Sequence, residues 1–359
     1  MGKRPTIRTL AERAGVSIAT VSKALANSPV VTEATRARIA ALAEEIGYVP
    51  SLRGVSLRTG RTFQAAVLMP MPSVADEEWE GVEYTHILSG LSRAFNGTPY
   101  HLAVHPVQGP EEMHVLRQIV ERRSADGVVF SGTRPKDPRI TYLLERGFPF
   151  AVMGQSSHAA AFSHVDIDSE RLGYESTARL IALGHKRILL INPEPGLMYG
   201  AQRLAGYRRA LKEAKLDFDA SLVQAGRLSA AFGRDAALAA LSGANPPSAY
   251  LCLNEATALG VMSGLRAGGL EPGRDAAVIG YDDINVSAYF NPAITTYYQP
   301  IDEMSMTLGQ FLLRRIDGES AETLQQVFMP RLIERQSDRI PDTITKASGK
   351  DASPKARKP

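Results

Sequence analysis

The sequence predicts an α/β protein: an N-terminal three-helix head of the helix-turn-helix type and a hinge, followed by a two-lobe body with parallel sheets. Three observations support this prediction. Residues 6–47 contain three short helix patterns, and a glycine lies in the turn between the first two. After Phe63, apolar runs of strand length alternate with amphipathic helical stretches. Positive charge is concentrated at the N-terminus.

Charge is distributed unevenly along the 359 residues, although the net charge is only +3. Residues 1–62 carry ten Lys or Arg and four Glu, a net charge of +6. The last residues, 341–359, carry +3, which leaves −6 for residues 63–340. A basic head on an acidic body favours a nucleic-acid contact that is confined to the head.

Several classes of protein find no support in the sequence. Cys252 is the single cysteine, so no internal disulfide and no multi-cysteine metal site is expected. The sequence has no export leader and no apolar run of the roughly 18 to 20 residues that span a bilayer, which favours a cytoplasmic protein with no membrane contact. It has no G-x-S-x-G, Walker A or H-E-x-x-H motif, so we expect no catalytic residue, cofactor or metal.

The three helices of the head have recognisable caps. Thr6 is placed to cap a first helix over about 7–13 that ends at Gly15, and Ser17 to cap a second over about 18–25. A third helix begins after Thr32 and runs to Gly47, with apolar residues at helical spacing. A purely structural bundle is the alternative, but it would not need the excess of positive charge.

The head resembles the lactose/galactose-repressor (LacI/GalR) family of bacterial transcription regulators. The resemblance lies in TIRTLAERAGVSIATVSKALAN at 6–27, VTEATRARIAALAEEIGYVPS at 31–51 and SLRTGRT at 56–62, and it extends to about residue 340. It implies that Ile18 and Ala19 read bases through apolar contacts and that Lys23 donates to a guanine edge. It also implies that a set of polar side chains holds DNA phosphates: Thr6, Ser17, Thr20, Ser22, Asn27, Tyr48 and Ser51.

The resemblance also predicts a hinge helix over residues 51–62. In the family a leucine of this helix is inserted into the minor groove, and Leu57 matches it. Gly54 replaces the usual alanine, which lowers helix stability by about 0.5–1 kcal/mol. We therefore expect a hinge that is disordered away from DNA. The alternative is a plain interdomain linker.

The body contains two series of apolar runs that indicate parallel βαβ units. The first series is QAAVLM, YHLAVHPV, GVVFSG and PFAVMG, and the second is RILLIN, SLVQAG, AYLCLN and AAVIGYDD. The resemblance implies a periplasmic-binding-protein-like body over 63–340. Its first lobe would span about 63–163 and 296–324, and its second about 166–293 and 326–340.

A small ligand is expected in the cleft between the lobes, at the carboxyl ends of the strands. By the resemblance, Arg203 would donate to ligand oxygens, and Asp282 would accept from neighbouring hydroxyls. Asn254 and Gln299 lie at comparable positions, and His164 occupies a place where relatives have a ring-stacking Phe. Trp79 would stack on a pyranose or else cover the core. Taken singly, each of these residues could instead be a surface or cap residue.

These features predict a ligand-controlled regulator, most simply a repressor, that binds a near-palindromic double-stranded operator as a homodimer. The polar tail at 341–359 should be disordered, and it lacks the apolar heptads of a tetramerising coiled coil. The predicted effector is a sugar or glycoside. A purine corepressor, a free-standing sugar receptor and a sugar-processing enzyme are the alternatives.

Overall fold

A computed structural model describes residues 5–49, 52–71, 82–109, 111–282 and 286–339. Ser51, Trp79 and the predicted tail at 341–359 lie outside the described residues, so the expectations for them stay predictions. The chain divides into two compact units, Met1–Phe63 and Gln64–Pro359, called here the head and the body. In the described ranges, no helix is long and apolar enough to cross a membrane.

The head consists of four helices. They are α1 (Ile7–Ala14), α2 (Ile18–Leu25), α3 (Glu33–Glu45) and α4 (Leu52–Thr59). Thr6, Ser17 and Thr32 cap the first three, as the sequence predicts, each accepting a hydrogen bond from a backbone N–H three residues later. Gly15 ends α1 with φ of 61°, a left-handed conformation that glycine adopts without steric cost.

The first three helices enclose a small apolar core. Leu10, Val21 and Ile39, one from each helix, are fully buried at its centre. Alanines on all three helices complete the core and allow the short helices to approach closely. This arrangement buries one side of α2 and leaves its other side accessible.

In its described residues the body has twelve strands and eight α-helices, which mostly alternate. The strands are β1 (Gln64–Pro70), β2 (His101–Val107), β3 (Gly127–Phe130), β4 (Phe150–Met153), β5 (His164–Ile167), β6 (Ile188–Pro193), β7 (Val223–Gly226), β8 (Ala249–Cys252), β9 (Ala277–Asp282), β10 (Thr295–Tyr298), β11 (Gln325–Phe328) and β12 (Arg331–Ile333). The helices are α5 (Val82–Ala94), α6 (Glu111–Arg122), α7 (Pro138–Arg146), α8 (Ser169–Ala182), α9 (Met198–Glu213), α10 (Ala230–Leu241), α11 (Glu255–Ala267) and α12 (Ile301–Ile316).

These strands form two six-stranded sheets, one for each lobe. The first has the order β11-β5-β4-β3-β1-β2 and is parallel throughout. The second has the order β12-β10-β9-β8-β6-β7, and only its edge strand β12 is antiparallel. The sequence-based prediction of two lobes with parallel sheets is confirmed.

The lobe boundaries lie a few residues beyond the predicted positions. β5 still belongs to the first sheet, so the chain leaves the first lobe after Ile167 rather than near 163. β10 belongs to the second sheet, so the chain returns to the first lobe near Gln299 rather than near 296. It crosses once more between β11 and β12. The pairing of β5 with β11 joins segments about 160 residues apart, a relationship that local sequence patterns do not reveal.

Helix α12 packs against the first sheet with one apolar side. Met304, Leu308 and Leu312 are buried, and the helix contacts β3, β4 and β5 as well as α5. In the second lobe, α8 packs closely on α9, and α10 on α11. Both pairs begin near the carboxyl ends of the strands, so their packing determines where the first residues of these helices lie.

Candidate functional site

The accessible side of α2 carries two apolar side chains and one positive charge. Ile18, Ala19 and Lys23 are exposed on it, whereas Val21 and Ala24 are buried in the head core. The three residues predicted to face bases therefore share one accessible side of a single short helix. Such a helix, presented after a tight turn, has the form that enters a DNA major groove.

The predicted phosphate contacts lie around this face. Thr6 and Ser17 are exposed at the N-termini of α1 and α2, where their side chains accept hydrogen bonds from backbone N–H groups. The Oγ of Ser17 also lies 2.8 Å from the hydroxyl of Thr20. Helix N-termini attract anions because their first N–H groups point outward.

The remaining predicted phosphate contacts differ in their accessibility. Asn27 is exposed and has φ of 53° in the turn after α2, where Arg36 donates to its carbonyl. Ser22 and Tyr48 are half-buried. Tyr48 packs against the head core, and burial raises the pKa of its hydroxyl.

The hinge segment forms helix α4 in the structure, and its disorder away from DNA stays a prediction. Its two turns include a hydrogen bond from the Thr59 hydroxyl to the Val55 carbonyl at 2.9 Å, which supports the last turn. The side chain of Leu57 is 89% exposed. It is therefore accessible for a contact with DNA.

The body contains a large cleft between its lobes, with a volume of about 650 Å³. Residues at the carboxyl ends of all the strands from β1 to β10 line it. Four of the predicted effector residues, Arg203, Asn254, Asp282 and Gln299, lie on its wall. In the sequence they are separated by up to 96 positions, and the sheet topology brings them together.

Arg203 is held rigidly on the second-lobe side of this cleft. It is only 5% exposed, and its Nη1 donates to the Leu253 carbonyl at 3.2 Å. Its guanidinium carbon lies 3.8 Å from the centroid of the Tyr281 ring and 5.5 Å from that of Tyr199. Its Nε has no hydrogen-bond partner among the described residues. A buried donor without a partner calls for an explanation, and a ligand or an ordered water that accepts from it would supply one.

The other three residues have different local roles. The Oδ1 of Asn254 caps α11 by accepting from the backbone N–H of Thr257 at 2.9 Å. Gln299 accepts a hydrogen bond from the Tyr281 hydroxyl. Asp282 has φ of 91°, a conformation that is strained for a residue with a side chain and is characteristic of functional sites.

The structure adds cleft residues that the sequence analysis missed. Asp166 is 7% exposed and Ser169 is 1% exposed, and both line the cleft at the end of β5. Burial raises the pKa of Asp166 to about 6. Hydrogen bonds from the backbone N–H groups of Ile167 and Gln155 oppose this rise, as does the positive charge of Arg203. Burial also raises the pKa of Glu83, and again Arg203 opposes the rise.

The prediction for His164 is wrong. This residue begins β5, so it lies at the amino end of the strand, whereas the cleft is at the carboxyl ends. Its ring packs on Phe162 with centroids 5.1 Å apart, and burial lowers its pKa. Asp166, two residues later, is the cleft residue of this strand. The signal that could have identified it is its place near the strand end in HVDI.

A second arginine in the cleft wall has a structural role. Arg139 forms a bidentate pair with Asp137, at 2.9 and 2.6 Å, and also contacts Glu112. It donates to the carbonyls of Ser131 and Gly132 as well. Its charge is thus balanced within the first lobe. In the described ranges, no group of three or more His, Cys, Asp or Glu could hold a metal ion.

A helix-turn-helix head joined to a two-lobed body with a polar interlobe cleft defines the class of ligand-binding transcriptional regulators. Residues 6–51 match the bacterial regulatory proteins of the lacI family, and residues 177–337 match the periplasmic-binding-protein-like domain. The chain belongs to the LacI family of transcriptional regulators.

Similar proteins include regulators with different names. The HTH-type transcriptional regulator CelR of Thermobifida fusca is 30% identical over 93% of this chain and 98% of its own length. AglR of Rhizobium meliloti (strain 1021) is 29% identical, covering 92% and 93%. The HTH-type transcriptional repressor PurR of Aliivibrio fischeri (strain MJ11) is also 29% identical, covering 92% and 98%.

Two solved structures extend the comparison. A complex of CelR with cellobiose is 29% identical, superposes with a TM-score of 0.70, and covers 93% of this chain and 100% of that one. A lac repressor dimer bound to operator and the anti-inducer ONPF has a TM-score of 0.77 at 22% identity, covering 94% and 100%. The second likeness supports the fold alone.

Proposed function

We propose that this regulator is a repressor whose operator affinity is controlled by a sugar or glycoside bound in the interlobe cleft. The observation that carries the proposal is the composition of the cleft wall. Arg203, Asn254, Asp282 and Gln299 line the cleft together with Tyr199 and Tyr281. Sugars are bound by such combinations of hydrogen-bonding groups and aromatic rings. The likeness to the CelR–cellobiose complex supports the same ligand class.

On DNA, α2 would enter the major groove with Ile18, Ala19 and Lys23 facing the bases. The exposed hydroxyls at the N-termini of α1 and α2 would contact phosphates and fix the register without reading sequence. Leu57 would be inserted into the minor groove at the centre of the operator. Because two heads are needed to read a near-palindromic site, the active form is a homodimer, and it acts on the DNA of the nucleoid in the cytoplasm.

Switching would follow from a shift between two arrangements of the lobes. A sugar that binds one arrangement better than the other by about 3 kcal/mol changes operator affinity roughly a hundredfold. The chain crosses between the lobes three times, near residues 168, 299 and 329. A movement of one lobe relative to the other would bend the backbone at these crossings.

The test is a thermal-shift screen of neutral sugars and purine bases, followed by operator gel shifts with the best ligand. Arg203→Ala and Asp282→Ala should each remove the thermal shift. Arg208→Ala is the matched control for the first variant, since Arg208 lies on the same helix but is exposed beside Phe218. If neither cleft variant weakens the best ligand, the cleft is not the effector site.

A purine corepressor is the second candidate, and it is favoured by the PurR relatives at 29–30% identity. It predicts that hypoxanthine or guanine raises the melting temperature and strengthens operator binding, whereas a sugar inducer weakens it. A free-standing sugar receptor would bind the sugar but would not shift operator DNA. Turnover of a bound sugar would indicate an enzyme.

A further inference from the structure

Three buried polar residues line the interlobe cleft, Asp166, Ser169 and Arg203, and the charge of Arg203 acts on Asp166. This set is called here the base triad, and it is separate from the strand-end residues Asn254 and Asp282. Asp166 and Ser169 come from the end of β5 and the start of α8, and Arg203 comes from α9. All three line the cleft and are more than nine-tenths buried.

Asp166 is held in place but has unused acceptor capacity. Its Oδ1 accepts from the Ile167 N–H at 2.8 Å, and its Oδ2 accepts from the Gln155 N–H at 2.9 Å. An ionised carboxylate offers about four lone-pair sites, so these two bonds leave about two for a ligand. Because the backbone bonds fix both oxygens, a ligand donor would meet an acceptor that is already oriented.

The other two members of the base triad have unsatisfied polar atoms. Neither the Oγ of Ser169 nor the Nε of Arg203 has a hydrogen-bond partner among the described residues. Buried polar atoms of this kind are rare, because each costs about 1–3 kcal/mol of desolvation that a partner would offset. A ligand that supplies both an acceptor for Arg203 and a donor for Asp166 would satisfy the triad.

The charge of the surroundings indicates which ligands fit. Of the described residues that line the cleft, the acidic ones are Glu83, Glu112, Asp166, Glu194 and Asp282, and the basic ones are Arg139, Arg203 and Arg227. Arg139 is already paired with Asp137 and Glu112. The charge of Arg203 acts on both Glu83 and Asp166. A phosphate or carboxylate placed here would face several carboxylates and could donate no hydrogen bond to Asp166.

A hydroxyl group can both donate to Asp166 and accept from Arg203, since it donates one hydrogen bond and accepts two. We propose that the base triad binds adjacent hydroxyl groups of an uncharged sugar and selects it over the phosphorylated or acidic form of the same sugar. One hydroxyl would donate to Asp166 and accept from Arg203, and its neighbour would bond to Ser169. This inference rests on the proposed sugar effector and narrows its chemical class.

The experiment is isothermal titration of the full chain at pH 7.5 with matched pairs of probes. The pairs are cellobiose and cellobionate, trehalose and trehalose 6-phosphate, maltose and maltose 6-phosphate, and sucrose and sucrose 6-phosphate. At least one neutral sugar should bind, and its charged partner should bind at least a hundredfold more weakly.

Variants of the base triad then test the assignment of residues. With the neutral sugar, Asp166→Asn should weaken binding at least tenfold, and Ser169→Ala should weaken it about threefold to tenfold. Asp217→Asn is the matched control for charge, because Asp217 is exposed and outside the cleft, and it should leave affinity unchanged. Ser169→Ala keeps the test decisive if Asp166→Asn does not fold, since the Ser169 hydroxyl has no described partner to lose.

The outcomes separate this inference from the proposed function. A neutral sugar that binds equally well to both triad variants would overturn the base triad while leaving a sugar effector in place. Tighter binding of a phosphorylated or acidic partner would overturn the selection for uncharged sugars. Binding of purine bases with no response to any sugar would overturn both the inference and the proposed sugar effector.

Discussion

Gly173 on α8 lies so close to Arg203 on α9 that a Cβ atom at position 173 would be 2.2 Å from the Arg203 carbonyl oxygen. The contact is reciprocal, because a Cβ on Gly206 would lie 2.0 Å from the Glu170 carbonyl oxygen. The two backbones are therefore as close as glycine permits. Because Ser169 begins α8, this contact sets the position of Arg203 relative to the other members of the base triad.

Gly173→Ala should destabilise the protein by about 1–3 kcal/mol, the usual cost of inserting a methyl group into a packed contact. It should also weaken effector binding, since α9 must move to admit the new atom. Urea unfolding and titration with the best neutral sugar measure the two effects. The matched control is Gly243→Ala, where an added Cβ has only an ordinary contact of 3.4 Å, with the Ala240 carbonyl oxygen. Equal stability of the two variants would show that the helices separate freely.

Asp166 should give the binding of a neutral sugar a characteristic pH dependence. Its pKa in the folded protein is raised to about 6 by burial. Below that pH the carboxyl group is protonated and loses an acceptor, so affinity should rise between pH 5 and pH 7 and then level off. Titration at pH 5.0, 6.0, 7.0 and 8.0 measures this. A profile that is the same in Asp166→Asn would assign the pH dependence to another group.

Asp166 should make the folded protein less stable as pH rises, whereas it should make sugar binding tighter. A carboxyl group whose pKa is raised in the folded state retains its proton when the unfolded chain has lost it, so stability falls as pH rises from about 4 to about 6. The loss is about 3 kcal/mol, from a difference of roughly two pKa units. Burial lowers the pKa of His185 to about 4, which lowers stability as pH falls below about 6.5. The measurement is the free energy of unfolding of the native chain and of Asp166→Asn at each pH. Because His185 is present in both, the difference between the two values leaves the contribution of Asp166.

Leu57→Ala should reduce specific operator binding far more than non-specific binding. The side chain is 89% exposed, so its removal should leave the unfolding free energy of the head within about 0.5 kcal/mol of the native value. Its proposed contact is made only in the minor groove of the operator. Gel shifts against operator and scrambled duplexes at one salt concentration give the comparison. Equal losses on both duplexes would contradict the minor-groove role.

Gly54→Ala should strengthen the hinge helix by about 0.5–1 kcal/mol. An added Cβ at Gly54 meets no heavy atom within 4 Å, so the change affects backbone freedom and not packing. Amide hydrogen exchange at residues 56–59 should slow by about twofold to fivefold. Operator affinity should rise by a similar factor if the hinge folds on binding. An unchanged affinity would indicate that α4 is already fully formed in free protein.

Local chemistry made much of the head predictable from the sequence. Thr6, Ser17 and Thr32 can serve as helix caps because their short side chains reach the first N–H groups, and all three do so. The cleft residue Asn254 was also predictable, since it follows the apolar strand β8 at the edge where a parallel sheet binds ligands, whereas Arg203 lies inside α9 and only the family resemblance indicated it.

The errors have a common physical origin in long-range pairing. His164 and Asp166 differ by two positions on one strand, and only the strand's exact limits decide which one reaches the cleft. Those limits depend on the partner strand β11, which lies about 160 residues away along the chain. The contact between Gly173 and Arg203 is likewise a tertiary property, because a glycine within a helix pattern does not reveal what approaches it.

The crossing of the chain near Met329 also has a consequence for the order in which the protein matures. β11 completes the first sheet and β12 the second, so the first lobe lacks a strand until residue 328 has been synthesised and the second until residue 333. The head, by contrast, is complete within its first 63 residues. On the ribosome, the DNA-reading unit would therefore fold well before the sensing unit exists. A chain interrupted early would have a DNA-binding head without the ligand-binding body, which makes complete synthesis a condition for ligand-controlled regulation.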